Sequence, residues 1–161
     1  MPELSIKHNG RTYYGDEAYL EAAGVAQASI DTAVNRHVTA DYMSKLDEVA
    51  DKAFTASASR TARYMAKETE ARAFKAAGYS GDGTDYPTLA AEAPARGLSK
   101  QELADLIITK ADAWRTFGAN AEAARASLQA AVSSADGCEA KCQAAKAVVD
   151  GLKAQAATLA N

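Results

Sequence analysis

From Leu103 onward, apolar or small residues recur in alternating steps of four and three: Leu103, Ile107, Trp114, Phe117, Ala121, Ala124, Leu128 and Ala131, with Lys110 the one polar residue on the stripe. This is a heptad seam, and it commits the stretch to helices that bury a stripe against another helix. The alternation restarts after Asp136-Gly137 as Cys138, Cys142, Ala145, Val149, Leu152, Ala156 and Leu159. Two helices with seams of one period, joined at a glycine, predict an antiparallel hairpin over residues 99–161, with each stripe buried on the other. Ser99 followed by Glu102 is a capping box, and Leu98 and Leu103 occupy the positions of a hydrophobic staple. At about 1.5 Å per residue, a first helix from roughly 99 to 135 would be about 55 Å long. A rod of that kind makes surface, not a pocket.

The 161-residue chain is long enough for one domain with a core, or for a small module and a helical arm. Aromatic residues make up only 7% of it, whereas alanine occurs throughout. Alanine favours helix but buries little area, so these seams predict close backbone approach, modest stabilisation per turn and dependence on partner chains. The formal charge is −3, with basic and acidic residues interspersed, which argues against nucleic acid as a partner. No apolar run is long enough to span a bilayer, and Met1-Pro2-Glu3 lacks the basic-then-apolar order of a signal peptide. The expectation is a chain made and kept in a cytoplasm. Cys138 and Cys142 lie one helical turn apart, a spacing that an undistorted helix does not bring to disulfide distance. They read as reduced thiols packed like small hydrophobes, without the further Cys or nearby His that a metal would need.

At the other end, Leu4 to Tyr14 predicts a β-hairpin, because Asn9-Gly10 accepts the two positive φ angles of a type I′ turn. A hairpin alone is marginal in water, so it must lie on a helix or add to another protein's sheet. Tyr13 and Tyr14 point to opposite faces, which leaves one of them exposed unless something covers it. Asp16 offers an N-cap for a short helix through Glu21 that ends near Gly24. A longer helical pattern starts at Ser29 and carries Ile30, Val34, Val38, Tyr42, Leu46, Val49 and Ala53. Its steps are mostly four, so the stripe drifts and predicts crossed packing on a neighbour. Tyr64, Ala71 and Phe74 continue a helical face to Gly78. The absence of Gly and Pro from 29–77 favours one long helix bent near 57–60, with Ser57 and Ser59 weakening it, but does not decide between one helix and two. Gly78 to Pro87 is a linker; Pro87 opens a short helix through Ala93, and Pro94 ends it.

The fold class is therefore mainly α: an elongated helical protein with a small N-terminal β-hairpin and a C-terminal antiparallel coiled-coil-like helix pair. Its segments are a docking module over 1–24, a long helical segment over 25–78, a Gly/Pro-rich connector over 79–98 and the helical hairpin over 99–161. Gly78-Tyr79-Ser80-Gly81-Asp82-Gly83 lacks the preceding strand and the following Lys-Ser or Lys-Thr of a phosphate cradle. Asp82 and Asp85 lack the regular oxygen ligands of a calcium loop. His8 and His37 form no nucleophile, base and acid set, so no catalytic residue, cofactor or metal is assigned. Arg60, Arg63 and Lys67 share a helical face that could meet an anionic partner, although nearby Glu68 and Glu70 favour a solvated face. Together with Tyr13 and Tyr14 they are the candidate partner-binding residues. Leu103, Ile107, Trp114, Phe117, Leu128, Cys138, Cys142, Val149 and Leu152 are seam residues.

The middle of the chain resembles a known family. Glu70-Ala71-Arg72-Ala73-Phe74-Lys75-Ala76-Ala77-Gly78-Tyr79, then Tyr86-Pro87, then Ala95-Arg96-Gly97-Leu98-Ser99 and a helix with Ala111-Asp112-Ala113-Trp114-Arg115 is similar to tail-fibre assembly and fibre-associated proteins of tailed bacteriophages. The resemblance covers roughly residues 60 to 135. It implies a virus-encoded, non-enzymatic protein that binds tail fibres during assembly in the host cytoplasm, with a viral tail-fibre or baseplate protein as partner. The alternative it leaves is a permanent virion part linking fibre to tail or baseplate. Self-association into a homo-oligomer would satisfy the same heptad stripes.

Overall fold

The computed structural model describes residues 3–54 and 58–159. They form β1 (Leu4–His8), β2 (Arg11–Gly15), α1 (Glu17–Ala22), α2 (Gln27–Ala53), α3 (Ala58–Ala76), α4 (Pro87–Ala95), α5 (Lys100–Ser134) and α6 (Gly137–Leu159). The chain is mainly helical, with one antiparallel hairpin, and forms two compact units: residues 1–53 with 119–161, and residues 54–118. The 29–77 stretch is two helices, α2 and α3, with Phe54 in a turn. The bend expected near 57–60 falls partly on residues 55–57, outside the described residues, as does Ser57.

In the first unit, Asn9 and Gly10 turn the hairpin with φ of 47° and 77°, and the strands register Ile6 with Tyr13 and Leu4 with Gly15. Leu4 and Ile6 are buried and β1 packs on α2, so the hairpin is stabilised by a helix. The Asp16 carboxylate accepts the Tyr19 N–H at 2.9 Å and so starts α1. Buried Ile30, Ala33, Val34, Val38, Leu46 and Val49 line α2. It packs along α6, with α1 and the second half of α5 beside it. Tyr42 lies within electrostatic reach of Lys146, and Glu48 within reach of Lys153, so α2 and α6 run parallel. The second half of α5 opposes both: Arg125 pairs with Asp47, and Asn120 donates to Gln155 at 2.7 Å. The crossed packing expected of α2 is not what forms; α2 lies alongside α6. Ala33 is buried beside the stripe positions of α2.

The α5–α6 turn falls at Asp136-Gly137, and Leu128, Val132, Cys138, Ala145, Val149 and Leu152 are buried. The seam nevertheless does not bury on α6 along its whole length. Leu103 packs in the second unit with Phe74, Leu89 and Ala93, and half-buried Ile107 joins the same cluster. At 23 residues, α6 is shorter than the 35-residue α5, so the first part of the α5 stripe takes α3 and α4 as partners.

The second unit is built around Phe74. Tyr79 meets its ring edge-on at 5.7 Å, Tyr86 packs at 4.8 Å, and the Lys100 ammonium lies 5.4 Å from its centroid. Gly81 lets the loop pass close to Tyr86, where a Cβ would lie 2.6 Å from the ring. Pro94 does not end α4, which runs on to Ala95. Proline near a C-terminus forfeits only its N–H, and its carbonyl accepts from Gly97 N at 3.1 Å while Leu98 N bonds Ala93 O at 3.0 Å. The capping box forms as expected, with Glu102 N donating to Ser99 Oγ at 3.1 Å and Ser99 N to Glu102 at 2.8 Å.

One closure was not anticipated. Lys141 is 5% exposed, and its ammonium donates to the carbonyls of Val132 and Ala135 at the end of α5. The Lys141→Met variant keeps the aliphatic stem and removes these donors. It is expected to lose about 1–3 kcal/mol in urea unfolding, the cost of leaving a buried acceptor unpaired; parental stability would show that the carbonyls are closed by other groups.

Candidate interaction surfaces

The proposed partner-binding residues fall into three environments. Tyr13 is half-buried on the hairpin's inner face with Ile6, while Tyr14 is 63% exposed on the outer face. Lys67 forms an ion pair with Glu92 across α3 and α4, and Glu92 also binds Arg96 at 2.6 Å. Arg60 and Arg63 are exposed on α3.

Around Arg60 and Arg63, every residue from 60 to 66 is exposed, including Tyr64 at 58% and Met65 at 64%. Tyr64 was expected on one face with Ala71 and Phe74, yet only the latter two are buried. Toward the start of α3 the core stripe gives way after Ala71 to the Lys67–Glu92 ion pair with α4. A signal was present in the sequence: Arg60 and Arg63, one turn before Tyr64 and Lys67, mark where the apolar face gives way to charge.

The remaining charges of the second unit are largely spent on its own helices. Arg72 binds Glu68 at 2.8 Å and also Asp112; Arg115 binds Asp112 at 2.6 Å and also Glu68. Asp105 accepts from Lys75 at 2.8 Å and from the Tyr79 hydroxyl at 2.7 Å. Asp82 accepts the Thr84 N–H at 2.6 Å in a side-chain turn. Trp114 is half-buried and Phe117 buried; both pack on Phe54, with centroids at 5.4 and 5.5 Å. In the first unit, Asn35, Arg36, Thr39, Met43, Gln129 and Ser133 line a shallow groove between α2 and α5. His8 accepts from the Asn9 amide at 3.1 Å, and His37 is exposed on α2. Among the described residues no three His, Cys, Asp or Glu side chains are grouped as a metal site. No described helix is long and apolar enough to cross a membrane.

The ion pairs set carboxylate titration. The hydrogen bond from Lys67 holds Glu92 below the ordinary glutamate value of 4.5, and that from Arg72, with Arg115 second, does the same for Glu68. Lys75 and Tyr79 hold Asp105 below 3.8. Folded-state values below the unfolded ones mean that the unfolded chain binds more protons in this range. The stabilisation is therefore complete above the ordinary carboxylate values and lost as pH falls through the depressed ones. Thermal unfolding from pH 7 to pH 3 should show Tm falling below about pH 4.5, the ordinary glutamate range; Glu92→Gln should flatten that acid limb.

Cys138 is buried and Cys142 half-buried, both reduced. Burial, with Cys142 beside it, pushes the Cys138 thiol up from 9.0 to about 11. A thiol so disfavoured as thiolate is unreactive at neutral pH. Iodoacetamide on the native protein should label Cys142 first and reach Cys138 only on unfolding; equal labelling would contradict this packing.

No family model, curated protein or solved structure matches the chain.

Proposed function

We propose that the chain is a non-enzymatic assembly protein that binds an elongated viral tail fibre and docks on it through the start of α3. The observation that carries the reading is the uncovered helix over residues 60–66. An aromatic and a thioether exposed beside two arginines form the kind of anchor that protein interfaces bury at their centre, with the cations at the rim. The family resemblance supplies the identity of the partner. It runs through the Glu70–Tyr79 helix end, which packs on α4 through Ala71 and Phe74, and the Ala111–Arg115 turn of α5, which the Arg72–Asp112 ion pair ties to α3. Those segments hold the docking helix in place, and the fibre contacts come from residues preceding them.

Co-expression with the tail fibre of the encoding virus tests this. The parent chain should co-purify with the fibre, and a Met65→Asp, Arg63→Glu variant should co-purify at least about tenfold less, equivalent to losing about 1.4 kcal/mol. Both positions are exposed, so helicity and melting should match the parent. A fibre that folds equally well alone and retains neither chain would remove the proposal. If the chain is instead a permanent tail part, purified particles will contain it in fixed stoichiometry.

A further inference from the structure

We propose that Cys138 and Cys142 form a two-thiolate site for a soft monovalent metal ion of the copper(I) class, held in line between the two sulfurs. The pair lies on α6 in the first unit, so the proposal is independent of the α3 surface and of the fibre.

The helix sets the geometry. Cys138 is the second residue of α6 and Cys142 follows one turn later, so both side chains leave the same face. Their thiols hydrogen-bond to each other, which puts the two sulfurs in contact. Residues four apart on a helix hold their Cβ atoms about 5–6 Å apart, too wide for the roughly 3.8 Å of a disulfide. A metal bridge needs the wider spacing. At about 2.3 Å for each metal–sulfur bond, a linear sulfur–metal–sulfur unit separates its sulfurs by about 4.6 Å. Small rotations of the two side chains reach that distance without unwinding the turn.

The donor set selects the ion. Two thiolates are soft ligands that favour Cu(I), whereas structural zinc takes four ligands. Among the described residues no third His, Cys, Asp or Glu is grouped with the pair. Cys138 is 4% exposed, which keeps water from competing for the ion, and half-buried Cys142 leaves a route in from one side. Binding converts two thiols and one cation into a singly negative bis-thiolate complex and releases two protons to solvent; no electron moves. The charges around the pair are arranged for that product. Lys45 on α2, which also pairs with Asp41 at 2.7 Å, lies within electrostatic reach of Cys142 and faces the new negative charge. Glu17 lies near Cys138 with the opposite sign, and its carboxylate accepts the Cys138 N–H at 3.3 Å and pins the first turn that carries the ligand. Burial of Cys138 slows its alkylation, but a metal ion displaces the thiol proton directly.

Titration of the reduced full chain with Cu(I), supplied from a chromogenic Cu(I) chelator, should end at one equivalent per chain. It should release two protons in weak buffer and block iodoacetamide at Cys142. Zn(II) should do none of these. Cys142→Ser, at a half-buried position, should keep the parental helicity and melting and bind Cu(I) at least about a hundredfold more weakly. Cys138→Ser should lose the ion to the same extent, and where its burial makes that variant unfold, Cys142→Ser decides alone. A parent chain that takes no Cu(I) from the chelator, a folded Cys142→Ser variant that binds as tightly as the parent, or stoichiometric zinc on the same two thiols would each overturn the proposal.

Discussion

Helix termini carry backbone donors and acceptors that no intrahelical bond can use, and a chain with few large side chains has little burial to offset any left unpaired. Here several of those ends are closed by a named group. The C-termini of α1, α3 and α4 share one device: Val25 N bonds Leu20 O, Tyr79 N bonds Phe74 O, and Leu98 N bonds Ala93 O. In each, the intervening glycine takes the left-handed turn, and the residue after it folds back onto the last core position. At α3 that residue is Tyr79, so the bond that ends the helix also sets an aromatic ring against Phe74. Two further closures come from distant sequence. Lys141 closes α5 from one turn into α6, and the Glu17 carboxylate accepts the Cys138 N–H at 3.3 Å at the start of α6. The last bond places a negative charge where the α6 dipole favours one.

Once the ends are fixed, the seams supply burial in proportion to side-chain size. Where α2 and α6 run side by side, Ala33 and Ala145 are fully or nearly buried among valines and leucines, so the backbones approach closely. In the second unit larger residues do this work, with Leu89, Leu103 and Ile108 in one cluster with Phe74 and its ring partners Tyr79 and Tyr86. A continuous heptad stripe along α5 therefore serves two different packings. Ala104, Ile108 and Val132 are buried beside the stripe positions, because a helix packed against two partners needs a face wider than a two-stranded seam.

Local signals in the sequence were legible wherever a side chain acts on backbone within a few residues. The Asn9-Gly10 turn, the Asp16 cap, the Ser99–Glu102 box, Pro87 at a helix start and the Asp136-Gly137 turn all act over such distances. Partner choice was not legible. A heptad period says that Leu103 and Leu128 are buried, but not that different helices bury them, since period carries no information about which neighbour is at hand. Lys141 was invisible for the same reason: a lysine one turn after a cap position is ordinary until the preceding helix places two open carbonyls within its reach. Of the partner-binding candidates, Tyr14, Arg60 and Arg63 are exposed and Tyr13 is half-buried, whereas Lys67 pairs with Glu92, 25 residues away.

The start of α3 is the place where these rules are suspended. It is exposed from Arg60 to Ala66, and among its described side chains the first buried one is Ala71. The Lys67–Glu92 pair and the Glu70 carboxylate, which accepts the Leu89 N–H at 2.7 Å, tie its middle to α4. Helical turns held only by propagation from a packed segment open at lower free energy than turns with contacts of their own. A partner that covers Tyr64 and Met65 would supply the missing contacts, and the helix arrives with its backbone already ordered by its anchored end. The ordering cost of association is thus largely met by the Phe74 core. That division, a core that fixes a helix and an exposed extension beyond it, is what supports reading this end of α3 as a docking element.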